Sequence, residues 1–134
     1  MKRATANQYL SKYILLRDSF PSDRDVVVCC TCGRLVSRFS NKSHAGHFIP
    51  KGMGGSSGVY YDERNCHAQG FSCNITLEGN RTEYWPFMEK KYGREVIEEL
   101  RRKHRLPRRH SITEYGIMYR EKYKELLKEF GLKR

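Results

Sequence analysis

Five cysteines in a chain of 134 residues, three of them inside Cys29-Cys30-Thr31-Cys32-Gly33, constrain this fold more than any other feature. An odd count with no apolar leader ahead of it argues against a disulfide framework and for metal binding. Cys29 and Cys32 have the two-residue spacing of a zinc knuckle, and Gly33 lets the backbone turn round an ion. Such a knuckle needs a second pair. Cys73 stands where that pair should end, but the position three residues earlier is Gly70. Three thiolates can hold Zn²⁺ with a fourth ligand from elsewhere, and Cys66 and His67 are the nearest candidates. The bland alternative is that these cysteines are small core residues.

The chain is long enough for one compact domain, with hydrophobic residues at 38% for a modest core. A formal net charge of +11 favours a polyanionic partner, nucleic acid before an acidic membrane surface. No apolar run approaches the length of a membrane span, and Met1-Lys2-Arg3-Ala4 lacks the apolar stretch of a secretory signal. A cytosolic protein is expected.

Apolar spacing predicts a helix over 5–20, ended by Pro21-Ser22-Asp23, and a strand at Val26-Val27-Val28. Five glycines and a proline between Gly46 and Gly58 predict a long loop, with a second strand at Val59-Tyr60-Tyr61. Further helices are expected over 72–77, after Pro86 in a first turn, over 94–103, and from Ser111-Ile112-Thr113-Glu114, a capping-box pattern. The fold class expected is α+β, a small hairpin and metal centre set among helices.

His44-Ala45-Gly46-His47-Phe48-Ile49-Pro50 suits a general base at a strand end, because neutral imidazole accepts a proton near pH 7. His44 and position 46 should share one strand face. With Asn65-Cys66-His67-Ala68-Gln69, Cys73-Asn74, Gly79-Asn80, the leading Leu16-Arg17-Asp18 and the later Lys91-Tyr92-Gly93, the chain resembles HNH (His-Me finger) nucleases. More narrowly it is similar to the NinG (Rap) recombination proteins of lambdoid phages, over nearly its whole length.

That resemblance implies one domain over 1–134: an N-terminal helix to 24, a ββα-metal core over 25–80 and a basic helical extension over 81–134. It implies His47 as the base that activates water and Asn65 as the residue that orients it or the hairpin loop. Asn74 stands in the place of the last HNH histidine, a ligand for Mg²⁺ or Mn²⁺. The ligand before the base is commonly Asp and here is Gly46, so His44 could serve instead. The implied activity is metal-dependent cleavage of branched DNA, Holliday junctions or D-loops, by a protein that acts in the phage-infected host and pairs as a homodimer.

Sixteen of the 26 lysines and arginines follow Gly79, most densely at Arg101, Arg102, Lys103, Arg105, Arg108 and Arg109, a phosphate-binding run. Tyr84, Trp85 and Tyr92 could stack on exposed bases. Two other readings remain: a general HNH nicking or double-strand endonuclease of defence or packaging, and a zinc-binding DNA module without catalysis. A binding module has no need of the His44, His47 and Asn74 set.

Overall fold

The structure is a computed structural model, and it describes residues 1–50 and 57–133. The glycine-rich stretch expected as a loop therefore falls largely outside the described residues. Four helices frame two small antiparallel sheets. Helix α1 (Arg3–Arg17) leads into strands β1 (Ser19–Phe20), β2 (Asp23–Val28) and β3 (Leu35–Ser37), which pair in that order. Strands β4 (Ser43–His47) and β5 (Cys66–Gly70) form a separate hairpin. A π-helical turn at Ser72–Thr76 follows, then α2 (Arg81–Tyr92), α3 (Arg94–His104) and α4 (Ile112–Glu129). The α+β class read from the sequence is what the chain adopts.

The β4–β5 hairpin is the middle layer. In an antiparallel pair, opposed residues share a face and alternate ones change face. The register pairs Gly46 with His67 and Ala45 with Ala68, and all five residues of β5 are buried. One face packs on α1 and α4 through Ala6, Leu10, Ile14, Cys66, Tyr115 and Tyr119. These helices approach closely because position 116 is glycine: a Cβ there would lie 3.2 Å from the Ala6 methyl. The opposite side carries a second core of Phe48, Val59, Tyr84, Met88, Ile97 and Leu100, built on α2 and α3. Burying a large apolar side chain is worth about 1.5–3 kcal/mol, so these two clusters supply most of the drive to fold.

Several expectations need correction. Helix α1 ends at Arg17, and Ser19–Phe20 pairs with β2 instead of extending the helix. Val59-Tyr60-Tyr61 is a turn despite its β-prone composition, and the second hairpin strand is Cys66–Gly70. Pro86 lies inside α2, which starts five residues earlier, behind a left-handed turn at Gly79 (φ 93°) and Asn80 (φ 49°). The capping box at Ser111 and Glu114 is present as read.

Leu16-Arg17-Asp18 is where α1 is tied to the hairpin. The Arg17 guanidinium donates to both Asp18 carboxylate oxygens, to the Glu63 carbonyl at 2.9 Å and to the Cys66 carbonyl at 2.6 Å. Asp18 in turn accepts the Ala68 backbone N–H at 2.8 Å. Removing the cation strands a half-buried carboxylate and two carbonyls. Arg17→Ala is expected to cost about 2–4 kcal/mol in chemical denaturation; a loss below about 0.5 kcal/mol would show that water replaces the guanidinium.

Candidate functional site

The knuckle Cys29–Gly33 closes because the Gly33 N–H reaches the Cys29 carbonyl at 2.8 Å, with Gly33 at φ 76°. It brings Cys29 and Cys32 up to Cys73, which opens the helical turn after β5. The three sulfurs lie within 4.8 Å of one another, the one cluster of three metal-ligating side chains among the described residues. Tetrahedral Zn–S bonds of about 2.3 Å need sulfurs about 3.8 Å apart, so the cluster closes onto an ion with small shifts. The donor set therefore fits zinc. Burial pushes the Cys29 thiol up, but the Thr31 hydroxyl and the N–H groups of Gly70, Thr31 and Cys32 outweigh it and bring it to about 7. Such donors favour the thiolate that a metal requires.

The other two ligand candidates lie elsewhere. Cys66 belongs to the α1–α4 core, its thiol 3.8 Å from the Tyr60 carbonyl. His67 is 1% exposed and carries a tyrosine hydroxyl on each ring nitrogen, Tyr84 at 3.2 Å and Tyr92 at 2.7 Å. Because the Tyr84 O–H donates to the Gly46 carbonyl, it accepts from Nδ1–H, and Nε2 accepts from Tyr92. Tyr84 and Tyr92 are thus committed to the interior and not to stacking on bases.

Asn65 is wholly buried at the base of the loop that follows β4. Its Oδ1 accepts the Ile49 N–H at 2.8 Å, and its Nδ2 donates to the carbonyls of Ile49 at 2.9 Å and Val59 at 3.2 Å. These bonds hold the loop, and no hydrogen bond among the described residues joins Asn65 to His47.

His47 ends β4. Its Nε2 lies 2.9 Å from the Tyr60 carbonyl, and its ring stacks on Tyr60 with centroids 4.2 Å apart. A carbonyl only accepts, so Nε2 carries the proton and the lone pair is on Nδ1. Burial, joined by the positive Arg81 and opposed by the Tyr60 carbonyl, pushes the imidazole down to about 4. It is neutral at pH 7, with its basic nitrogen set by the other nitrogen's bond.

His44 faces the other way. It stands three positions before His47, an odd offset, so the pleat sends the two rings to opposite faces of β4. His44 Nδ1 accepts from Asn74 Nδ2 at 3.0 Å, and its ring leans on Phe71. The structure thus brings His44 and Asn74 together, whereas no hydrogen bond among the described residues joins His47 to either. An imidazole and an amide make a sparse donor set for a hard cation, which keeps several waters and takes further oxygens from its substrate. Among the described residues no His, Cys, Asp or Glu cluster forms around this pair, so any divalent ion there would draw most of its shell from water and substrate.

Gly46 is occupied space. A Cβ built there would lie 1.9 Å from Gln69 Oε1, whose amide nitrogen is held by Thr31 Oγ1 at 3.1 Å and the Gly79 carbonyl at 2.9 Å.

One functional candidate escaped sequence reading. Arg81, at the start of α2, donates to the carbonyls of His47 (2.7 Å) and Phe48. Phe48 N–H bonds the Asn65 carbonyl, so its neighbour His47 turns its own carbonyl to the open side of β4. Arg81 therefore caps that open edge beside His47. It also lines a groove of about 550 Å³ with Phe48, Ile49, Pro50, Trp85, Arg101, His104 and Arg105. The only sequence sign was a basic residue straight after the Gly79-Asn80 turn.

The basic run divides around the end of α3. Arg101 and Arg105 line this groove, with the Arg101 guanidinium 5.9 Å from the Trp85 ring centroid. Lys103 pairs with Glu99 at 3.0 Å and, with Arg109, lines a different pocket against α4. Arg102 is exposed on α3, and Arg108 is partly buried beyond it.

Two buried histidines make stability depend on pH. His47 and His67 are held down to about 4 and about 3, chiefly by burial. Both stay neutral when folded, while the unfolded chain takes up protons below about 6.5. Stability is complete above that value and falls as pH drops, by roughly 1.4 kcal/mol per unit per histidine. Denaturant midpoints at pH 7 and 5 measure this; equal midpoints would contradict it.

The chain is thus a basic α+β domain whose hairpin carries a neutral imidazole and is backed by a three-cysteine cluster. The family model described as "Bacteriophage Lambda NinG protein" matches residues 3–132, and the chain belongs to that NinG family. It is 32% identical over 108 residues to "Protein ninG" of Escherichia phage 933W and to that of Enterobacteria phage VT2-Sa. Those 108 residues are 80% of this chain and 49% of each relative, so the match spans about half the length of the curated relatives. No solved structure matches.

Proposed function

We propose that this NinG-family protein is a metal-dependent DNA endonuclease of the HNH (His-Me finger) type that acts on branched recombination intermediates. The observation that carries the reading is the state of His47: a neutral ring with Nε2–H tied to the Tyr60 carbonyl and Nδ1 left basic. A histidine that only packed the hairpin would not need its basic nitrogen selected, nor an arginine capping the strand edge beside it.

His47 Nδ1 takes a proton from water as that water attacks phosphorus. Asn65 fixes the loop after β4 and hence the height of the ring above the phosphate. Arg81 sits on the open edge of β4, where a phosphate reached from both strand faces has to lie. His44 and Asn74 would hold a divalent ion, which would neutralise charge at that phosphate. The P–O3′ bond breaks and the 3′ oxygen takes a proton from solvent, leaving a 5′-phosphate and a 3′-hydroxyl. Cys29, Cys32 and Cys73 would hold zinc, which would pin the knuckle to the turn after β5 without touching substrate.

The groove of Arg81, Arg101, Arg105 and Trp85 binds backbone phosphates and one unstacked base beside the scissile bond. The sequence carries no base-reading helix signature. Selection therefore rests on DNA shape, which favours branched substrates over sequence.

The test is single-turnover cleavage of a labelled four-way junction across pH. With His47 near 4, activity should persist well below pH 6.5 and fall only towards pH 4–5, because the base stays deprotonated above its own pKa. A rate that falls through pH 6.5 would assign the base to another histidine.

A further inference from the structure

We propose that the metal centre is a three-thiolate site whose fourth coordination position is filled from solution, by water at rest and by a small thiol when one is present. Zinc in a sulfur site takes four donors, and this chain brings three together. Among the described residues no fourth Cys, His, Asp or Glu joins the three thiolates. Cys66 is sealed in the α1–α4 core, and both nitrogens of His67 are taken by tyrosine hydroxyls. Cys30 lies next to Cys29 in sequence but stands outside the cluster. The residues outside the description, 51–56 and 134, contain no Cys, His, Asp or Glu.

The backbone shows where the missing donor belongs. Gly70 precedes Cys73 by three residues, the spacing that Cys29 and Cys32 repeat, and its backbone N–H is among the groups that lower the Cys29 thiol. A Cβ built on Gly70 would meet only the Val36 methyls, at 3.4 and 3.8 Å, an ordinary contact. Position 70 is thus a corner of the cluster with its side chain removed and no other side chain moved in. Cys32 is exposed, so the cluster reaches solvent, although Cys29 and Cys73 are buried.

Three thiolates on Zn²⁺ leave one net negative charge; bound water keeps that value, and a bound small thiolate raises it to two, the charge of an ordinary four-cysteine zinc site. Exchange balances simply: a thiol gives its proton to solvent, its sulfur binds the metal, and water departs. A soft sulfur donor suits a sulfur-rich centre. The site is therefore selective for small thiols, since the corner is the size of one missing side chain.

Cobalt(II) reports the donor set by its visible and charge-transfer absorption. The full-length protein loaded with Co²⁺ should show a three-thiolate spectrum, and added 2-mercaptoethanol should shift and intensify it saturably. Gly70→Cys should show a four-thiolate spectrum from the outset, ignore the added thiol, and hold metal at least 10-fold more tightly against a chelator. A wild-type spectrum that ignores the thiol, or already matches that of Gly70→Cys, would overturn the proposal. So would failure to bind cobalt. The wild-type titration decides alone if the variant does not fold, and no outcome depends on nuclease activity.

Discussion

His47→Ala is expected to lower cleavage of a four-way junction by roughly 10²–10⁴-fold, the usual contribution of a positioned general base, and to leave junction affinity nearly unchanged. The asymmetry follows from what the ring touches. Its proton-bearing nitrogen goes to a main-chain carbonyl, its face to Tyr60, and its other nitrogen has no assigned structural work. The groove proposed to hold backbone phosphates is built from other side chains. Loss of the stacked ring will also cost stability, so melting curves belong beside the kinetics. His47→Gln, which fills more of the space and cannot take a proton near neutrality, separates the two effects. If both variants lose binding and cutting in parallel, His47 is a packing residue and the base lies elsewhere.

Gly46→Asp restores the residue that HNH enzymes commonly carry before the base, and should nevertheless damage this protein. The new Cβ meets Gln69 Oε1 at 1.9 Å and its amide carbon at 2.7 Å. Gln69 is wholly buried, and moving it breaks its bonds to Thr31 and the Gly79 carbonyl. Each stranded buried group costs about 1–3 kcal/mol, so a total of about 2–5 kcal/mol is expected. Adding Gln69→Ala should return part of that loss. A stable and more active Gly46→Asp protein would mean that Gln69 yields easily and that position 46 is only a vacated ligand position.

Where local chemistry decides, the sequence was readable. Ser111 and Glu114 make their capping box wherever a helix starts, and Cys29-x-x-Cys32 turns through Gly33 whatever surrounds it. The pairing of both with Cys73, and of His44 with Asn74, also followed from the linked motif. What was misread depended on packing. Val59-Tyr60-Tyr61 has strand composition, yet its turn delivers a carbonyl to His47 and Tyr61 to the α4 core. Cys-His-Ala-Gln-Gly has poor β propensity, yet becomes β5 because cores on both faces bury it. Tyr84 and Tyr92 could be read either as core or as base-stacking residues, and the buried His67, which holds both hydroxyls, decides for the core. Arg81 carries no motif of its own, since its role depends on where α2 begins.

The central claim is tested most directly by incubating the wild-type protein with a labelled four-way junction and a matched linear duplex, in Mg²⁺, in Mn²⁺ and in EDTA. The account predicts metal-dependent cutting of the junction well ahead of the duplex, abolished by EDTA. Tight junction binding with no cutting in either metal would contradict it, and would make this a zinc-bearing DNA-binding protein whose His47 serves only the hairpin.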